Sequence, residues 1–288
     1  MTREVLEYLD VSKGFYVDAT IGGAGHSAMI LEKLREGVLL GIDLDSDALA
    51  ATRERLGNDP RLRLVHGSFA QLATILKDCP ESANGIAGIL FDLGASLHHF
   101  AAAERGFSYS AEAALDMRFD RTSSGPTARD VIRRSSEQEL YRIFHELGEE
   151  RFSRRIARHV SRFRAKITTT RDLADAVRTA VPGRFQDKAL MRVFQALRIS
   201  VNRELENLES GLRQAMALLA EGGRIVVLSY HSLEDRIVKL AFREAGRAGV
   251  LDVLTRKPLR PALAEVRVNP SSRSARLRAA EKKRKGPK

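Results

Sequence analysis

The chain has 288 residues, of which 43% are hydrophobic and 30% are charged. A chain of this length and composition buries a large core, so intrinsic disorder is excluded. No stretch approaches the roughly 20 uninterrupted apolar residues of a membrane span, and the first ten residues lack a signal-peptide core. We therefore expect a cytoplasmic protein that does not bind a membrane. The single cysteine, Cys79, excludes an intramolecular disulfide, and the lack of clustered Cys and His predicts no metal site.

The charge is unevenly distributed. The chain carries 48 Lys and Arg against 37 Asp and Glu, a net charge of +11. Residues 151–166 hold seven basic residues and no acid, and residues 269–288 hold eight basic residues and one acid, so each run carries +7. Such runs can be solvated surface, but two of them on an otherwise acidic chain favour a polyanion partner, most simply nucleic acid.

The first ninety residues alternate short apolar runs with helical patterns, which predicts parallel strands covered by helices. Each predicted strand ends at a polar or glycine turn. These four strands are residues 15–17, 38–42, 62–65 and 86–91.

The pattern from about residue 128 to residue 185 is helical. Capping-box spacings open successive helices at Thr127/Asp130, Ser136/Glu139 and Thr169/Asp172. Apolar residues at steps of three and four from Leu190 to Leu219 then predict one long helix, which Gly222-Gly223 stops. A fifth strand from Arg224 to Ser229, a helix from Ser232 with a Ser232/Asp235 capping box, and an edge strand from Ala264 to Val268 complete the prediction.

The simplest assembly is a doubly wound α/β domain from residues 1–100 and 200–288, with a helical domain of residues 101–199 inserted after the fourth strand. Residues 270–288 have little apolar content and no periodicity, which predicts a flexible basic tail. In doubly wound sheets, ligands bind at the carboxyl ends of the strands.

The turn after the first strand is rich in glycine. Gly23-Ala-Gly25-His-Ser-Ala28 fits the G-x-G-x-x-A dinucleotide pattern, and Asp43 follows Gly25 by eighteen residues. An acid there can accept both hydroxyls of a ribose, as in NAD and S-adenosylmethionine sites. A tight turn without a ligand and a helix cap at Asp43 are the structural alternatives.

Three further strand ends carry candidate residues. Phe69 follows the third strand, where its ring could pack on an adenine or belong to the core. Asp92 ends the buried fourth strand, and a carboxylate in that place favours a functional role. Tyr230 and His231 follow the fifth strand and should face the same edge as Asp92. No G-x-S-x-G motif supports a serine hydrolase.

Together these segments resemble the bacterial MraW (RsmH) family. The resemblance runs in order along nearly the whole chain. It is carried by Asp18-Ala-Thr-Ile-Gly22, Gly41-Ile-Asp-Leu-Asp45, His66-Gly-Ser-Phe69, Ile89-Leu-Phe-Asp-Leu-Gly94, Glu104-Arg-Gly-Phe-Ser108, Leu115-Asp-Met-Arg118, Gly148-Glu-Glu-Arg-Phe152, Phe194-Gln-Ala-Leu-Arg-Ile199 and Ser229-Tyr-His-Ser-Leu-Glu-Asp-Arg236.

The resemblance implies a class I S-adenosylmethionine-dependent methyltransferase, with a Rossmann-like sheet and an inserted α-helical domain. It implies methylation of a cytidine N4 amine in 16S ribosomal RNA or the small ribosomal subunit. The cofactor positions that it implies are Ala24, Gly25, His26, Asp43, Phe69, Asp92 and His99.

Transfer of a methyl group from a sulfonium is an in-line displacement that needs no metal ion, so positioning and electrostatics carry the catalysis. Asp92 is the candidate acceptor of a hydrogen bond from the cytosine N4 amine, or else it holds the methionine end of the cofactor. Tyr230 and His231 are expected to stack on or steer the base. In the insert, Arg151, Arg155, Arg158 and Arg162 are expected to share one face of a helix and to bind RNA phosphate.

Two other classes of protein stay open at this point. A nicotinamide dehydrogenase would use the same glycine turn and Asp43, but leaves the segment after Asp92 and the basic runs unexplained. An RNA-binding or assembly factor without enzymatic activity would explain the charge alone.

Overall fold

The computed structural model describes residues 1–95 and 103–284 of the chain. The chain forms two compact units, of which the first joins Met1–Gly94 to Leu205–Lys288 and the second is Ala95–Glu204. The boundaries expected at residues 100 and 200 therefore fall at Gly94 and Glu204.

The first unit is built on a sheet of seven strands within the described residues. The five strands predicted from the first ninety residues and from Arg224 to Ser229 are confirmed, and each ends at a polar residue. The strands are β1 (Lys13–Asp18), β2 (Glu36–Asp43), β3 (Leu62–His66), β4 (Ile86–Asp92), β5 (Leu219–Ser229), β6 (Leu251–Val253) and β7 (Arg276–Lys282).

The strand order across the sheet is β3-β2-β1-β4-β5-β7-β6. β1 to β5 are parallel, and β7 runs antiparallel to both β5 and β6. The chain builds outward from β1 to β3 and then returns to place β4 on the other side of β1. This reversal creates a topological switch point between β1 and β4, and ligands bind at the carboxyl ends of strands at such a point.

Helices cover both faces of this sheet, as the predicted doubly wound arrangement requires. Side chains alternate along β1, so that Phe15 and Val17 join one core cluster and Tyr16 joins another. The helices of this unit are α1 (Thr2–Leu9), α2 (Gly25–Lys33), α3 (Ser46–Leu56), α4 (Leu72–Ile75), α10 (Glu204–Leu218), α11 (Ser232–Arg247) and α12 (Leu263–Val268), with the first residue of α10 belonging to the second unit.

The second unit is helical and has its own core, which includes Phe144, Ile156, Val160 and Phe194. The three capping boxes predicted from the sequence are all present, at Thr127, Ser136 and Thr169. Its helices are α5 (Ala128–Arg134), α6 (Glu137–Arg142), α7 (Ser153–Phe163), α8 (Thr170–Ala180) and α9 (Gln186–Asn202), with a π-helical turn at Ile143–Leu147 and a 3-10 turn at Gly183–Phe185.

The single long helix expected from Leu190 to Leu219 is wrong. The chain forms α9 and α10 instead, and Arg203 between them adopts a left-handed conformation with φ of 49°. The Asn202 side chain donates to Met117 O at 2.8 Å and accepts from Phe119 N at 2.8 Å, which fixes the break. The apolar spacing continues across the break, so periodicity alone does not reveal it. Helix α10 ends at Leu218, and Gly222-Gly223 lies inside β5.

Two predictions for the end of the chain are also wrong. Ala264 to Val268 lies in the short helix α12 rather than in an edge strand, and the edge strand beside β7 is β6. The expected flexible tail of residues 270–288 contains β7, whose central residues are buried. Its basic composition hides a strand, because Arg278 is turned inward and pairs with Asp235 Oδ1 at 2.7 Å.

None of the helices in residues 1–95 and 103–284 is long and apolar enough to cross a membrane.

Candidate active site

The candidate site lies at the carboxyl edge of the sheet in the first unit. Asp18 ends β1 and Asp92 ends β4, on the two sides of the switch point, and Asp43 ends β2. Because these strands are parallel neighbours, their acidic last residues are gathered at one edge.

The glycine turn between β1 and α2 is held against the second strand. Gly22 N donates to Asp43 Oδ2 at 2.9 Å, and Arg55 donates to Gly23 O at 2.6 Å. Ile21 packs so closely on Gly41 that a Cβ atom at Gly41 would lie 2.1 Å from Ile21 Cδ1. A side chain at position 41 would therefore force Ile21 to move away from β2.

The outer side of this turn is open. Apart from the adjoining chain, no atom of the described residues lies within 4 Å of the place where a Cβ of Gly23 or Gly25 would stand, and both residues are exposed. Helix α2 begins at Gly25 without a hydrogen bond from any described capping side chain, so its first N–H groups are available to a polar ligand. Ala24, its N-cap, has φ of 58°, a left-handed conformation that costs an alanine about 1–2 kcal/mol.

Asp43 is not the cap of the following helix. That cap is Asp45, which is 2% exposed and accepts from Asp47 N. Asp43 accepts from Gly22 N and from Asp45 N, each at 2.9 Å, and its side chain is half-buried. This places a carboxylate, a group that accepts hydrogen bonds from hydroxyls, beside the glycine turn.

Asp92 is held by residues from three other segments of the chain. Tyr230 donates its hydroxyl to Asp92 Oδ1 at 2.8 Å, and His26 Nδ1 lies 3.2 Å from Asp92 Oδ2. Thr20 Oγ1 accepts from the Asp92 backbone N–H at 2.7 Å. The Asp92 side chain keeps 27% of its surface exposed, so the carboxylate is both oriented and accessible.

The charges around Asp92 shift the pKa values of its two partners. Burial alone would lower the pKa of His26, but the hydrogen bond to Asp92 and the charges of Asp92 and Asp18 outweigh it and raise that pKa above its ordinary value. Burial, and then the charge of Asp92, raise the pKa of the Tyr230 phenol. Tyr230 therefore stays a neutral hydrogen-bond donor, and His26 is held toward its protonated form.

His26 also carries an unsatisfied nitrogen. Within the described part of the chain its Nε2 is buried and has no hydrogen-bond partner. A buried nitrogen of this kind needs a partner, which a ligand at the glycine turn can supply.

Asp18 is a site residue that the sequence reasoning missed. It is 1% exposed, and its Oδ2 accepts from Ser27 Oγ at 2.6 Å. Burial raises its pKa to about 6. The signal was present in the sequence, since Asp18 ends the first predicted strand just as Asp43 and Asp92 end theirs.

His231 has a structural role in the described chain. It is the N-cap of α11, its Nδ1 accepts from Glu234 N at 3.5 Å, and its Nε2 lies 3.1 Å from Glu234 Oε1. The capping box predicted at Ser232/Asp235 is therefore wrong by one residue, because Asp235 instead pairs with Arg278 of β7. The expected contact between His231 and a base stays a prediction.

Phe69 packs into the core of the first unit. Its ring meets Phe91 edge to face at 5.4 Å, and the backbone of α10 approaches it so closely that a Cβ at Gly211 would lie 2.6 Å from its Cδ2. The ring is half-buried, and its contact with an adenine stays a prediction. His99, the remaining expected cofactor residue, lies outside the described residues.

The expected row of arginines in the second unit is partly confirmed. Arg155, Arg158 and Arg162 lie on α7 and are exposed, while Ile156 and Val160 of the same helix are buried. Arg151 precedes this helix and is not part of its face. Its guanidinium lies over the ring of Phe185 instead.

Comparison with known proteins shows the family to which the chain is similar. The model of the MraW methylase family matches residues 1–283. A ribosomal RNA small subunit methyltransferase H from Trichlorobacter lovleyi is 45% identical over 98% of this chain and 96% of its own length. The protein of that name from Pseudothermotoga lettingae is 43% identical over 98% of this chain and 97% of its own length. The crystal structure of an rRNA methylase from Streptococcus thermophilus is 12% identical, covers 98% of this chain and 94% of its own, and has a TM-score of 0.47.

The expected fold, a Rossmann-like class I methyltransferase sheet with a helical insert, is thus confirmed. With the family model matched along almost all of its length, the chain belongs to the MraW methylase family.

Proposed function

We propose that this chain transfers the methyl group of S-adenosylmethionine to the exocyclic N4 amine of a cytidine in small-subunit (16S) ribosomal RNA. Membership of the MraW methylase family, with relatives named ribosomal RNA small subunit methyltransferase H, supports the reaction and the class of substrate. The observation that carries the site assignment is the accessible Asp92 carboxylate, fixed between Tyr230 and His26 at the switch point. A cytoplasmic location follows from this proposal, because ribosomal RNA is methylated there.

The residues present fit the methyl donor. S-adenosylmethionine supplies an electrophilic methyl group, and its sulfonium sulfur keeps the electron pair of the broken S–C bond. The open faces of Gly23 and Gly25, the first N–H groups of α2 and the unsatisfied Nε2 of His26 would hold its polar groups. Asp43, beside the same turn, would accept the ribose hydroxyls. The nicotinamide alternative loses its support, because the family is one of methylases.

Asp92 would act on the nucleophile. The lone pair of the cytosine N4 amine is delocalised into the ring, and a carboxylate that accepts an N–H bond helps it to localise toward the methyl group. Two of the Asp92 acceptor positions are taken by Tyr230 and His26, which leaves two for the amine. When the N–C bond forms, the amine must lose a proton, and Asp92 would accept it. Tyr230 then acts as a positioning residue through its hydroxyl rather than as a stacking ring.

The RNA would be held by arginines of the second unit. Arg155, Arg158 and Arg162 are exposed on one helix, although Arg158 Nε lies 3.7 Å from Glu137 Oε1. Guanidinium groups bind phosphate without reading the base, so these residues would position the chain of the RNA. The target base must leave its stack to reach Asp92, which suits single-stranded or loop RNA.

The test is radiolabelled methyl transfer to small ribosomal subunits from cells that lack the enzyme. After digestion to nucleosides, we expect the label in N4-methylcytidine, identified by mass spectrometry. Label in a ribose or in another base would overturn the proposed reaction. Asp92→Asn, which keeps the shape of the side chain, should lower the rate at saturating donor and RNA. A loss confined to affinity for the donor would assign Asp92 to donor binding alone.

A further inference from the structure

The segment Gly148-Glu-Glu-Arg-Phe152 has no part in the proposed site, yet its backbone conformation is tightly constrained. It connects the π-helical turn Ile143–Leu147 to α7. Helical turns of the π type are rare and occur frequently at functional sites. The segment makes a tight corner. The side chains that this corner exposes to solvent are therefore candidates for a function.

Contacts within the second unit fix the backbone conformation of the corner. A Cβ at Gly148 would lie 2.7 Å from Phe144 O and 2.9 Å from Arg192 O, so only glycine fits there. Glu149 follows with φ of 48°, an uncommon left-handed conformation for a residue other than glycine. Such backbone persists where the surroundings enforce it.

Glu150 pins the next part of the corner. It is 2% exposed, its Oε1 accepts from Phe152 N at 2.8 Å, and its Oε2 lies 3.4 Å from Arg192 Nη1. A buried carboxylate with these partners resists movement, because the loss of either partner would leave its charge poorly compensated. The residue between Glu150 and Phe152 is thereby turned outward, and that residue is Arg151.

The guanidinium of Arg151 lies over two aromatic rings at this corner. Its Cζ is 3.6 Å from the centroid of Phe185 and 4.5 Å from that of Phe152. A second guanidinium, that of Arg184, lies 4.7 Å from the Phe185 centroid. Both arginines are exposed, while the two rings are half-buried and 5.5 Å apart. We call Arg151, Phe152, Arg184 and Phe185 the arginine corner.

The chemistry of the arginine corner suits RNA. A guanidinium stacked on a ring has lost much of its rotamer freedom, yet its N–H groups still point from the edge of the plane and can bind phosphate oxygens. Its outer face can also stack on an unpaired base. Arg151 begins the run of seven basic residues without an acid, so the surrounding sequence favours a polyanion over an apolar protein segment.

We propose that the arginine corner is a preordered contact for a single-stranded segment of the substrate RNA, in which Arg151 and Arg184 each bind a backbone phosphate and Phe185 holds both guanidiniums in place. This inference rests on the proposed function, since it takes RNA to be the substrate. The competing explanation is that the four side chains only join the start of α7 to the 3-10 turn at Gly183–Phe185.

Salt dependence of binding separates these explanations. The logarithm of the affinity for single-stranded RNA falls with the logarithm of salt concentration by about 0.7 per neutralised phosphate. Arg151→Gln with Arg184→Gln should therefore reduce that slope by about 1.4 and weaken binding about tenfold at low salt. The measurement is fluorescence anisotropy of a labelled single-stranded RNA with the full-length protein in the presence of S-adenosylhomocysteine, followed by filter binding of small ribosomal subunits.

Two further variants sharpen the test. Arg243→Gln with Arg247→Gln removes the same charge from exposed positions of α11 and should leave the slope near that of the wild type. Phe185→Leu keeps an apolar side chain but removes the ring, and should weaken RNA binding about threefold without loss of either arginine. Thermal melting of every variant reports on the fold.

The results expected are a smaller slope for the Arg151/Arg184 variant, a melting temperature close to that of the wild type, and unchanged affinity for S-adenosylhomocysteine. An unchanged slope overturns the proposal, whether affinity falls at all salt concentrations or not at all. So does a variant that binds naked RNA normally and loses only the ribosomal subunit, because the partner is then a protein. If the wild-type protein methylates subunits and the corner variants bind RNA as it does, the inference about the arginine corner is overturned and the proposed function stands.

Discussion

Replacement of Tyr230 by phenylalanine separates two roles for this residue, because it removes the hydroxyl and keeps the ring. The hydroxyl donates to Asp92 Oδ1 at 2.8 Å. A hydrogen bond to a charged group contributes about 1.5–3 kcal/mol. The Asp92 side chain is 27% exposed, so water can replace part of the lost bond and the lower end of that range applies. We therefore expect Tyr230→Phe to slow methyl transfer about tenfold, which corresponds to about 1.4 kcal/mol.

The assay is single-turnover methylation of small ribosomal subunits at saturating S-adenosylmethionine and RNA. Calorimetry should show affinity for the methyl donor within about twofold of the wild type, because the hydroxyl is proposed to orient Asp92 rather than to bind the donor. Tyr8→Phe is the matched control, since it removes a hydroxyl from a half-buried tyrosine of α1 outside the site.

A Tyr230→Phe protein with the wild-type rate would refute this reasoning. If Tyr230→Leu were slow at the same time, the ring itself would be the functional part, and the stacking role inferred from the sequence would hold. Loss of donor affinity in Tyr230→Phe would likewise contradict a role confined to orientation of the carboxylate.

Four other predictions follow from the same structure. Asp43→Ala should weaken S-adenosylmethionine binding by about 1.5–3 kcal/mol in calorimetry. Unchanged affinity in a folded variant would mean that Asp43 only holds the glycine turn in place. Burial raises the pKa of Asp18 from 3.8 to about 6, so its contribution to the free energy of unfolding is complete below about pH 3.8 and is lost as pH rises through about 6. In urea unfolding across this pH range, Asp18→Asn should make the free energy of unfolding fall less steeply with pH. Arg155→Glu with Arg158→Glu should impair methylation even at salt concentrations that screen weak contacts, and wild-type activity across a salt series would remove α7 from RNA positioning. Deletion of residues 281–288 should lower the free energy of unfolding by about 2 kcal/mol or more in urea unfolding, because it removes the Arg224–Glu281 pair and the end of β7.

Much of the first unit could be predicted because buried parallel strands are continuous apolar runs with polar ends. The same rule predicts from the sequence that Asp43 and Asp92 lie at one edge of the sheet. It could not show which side chains meet there. The bond from Tyr230 to Asp92 joins residues 138 positions apart, and its geometry depends on the packing of β4 against β5. Composition was misleading at β7, where Arg278 and small alanines form a buried strand that looks like a basic tail.

The ion pairs of β7 change where RNA affinity should reside. Arg276 and Arg278 both face Asp235, at 3.5 and 2.7 Å, so part of the positive charge at the end of the chain is already neutralised within the first unit. The carboxyl edge of the same unit gathers Asp18, Asp43 and Asp92, which repel phosphate. An enzyme that brings a base to these carboxylates must therefore hold the RNA backbone with cations elsewhere. The exposed arginines of residues 151–166 have the charge for this task, and we therefore expect the helical insert to supply a large part of the salt-dependent binding energy.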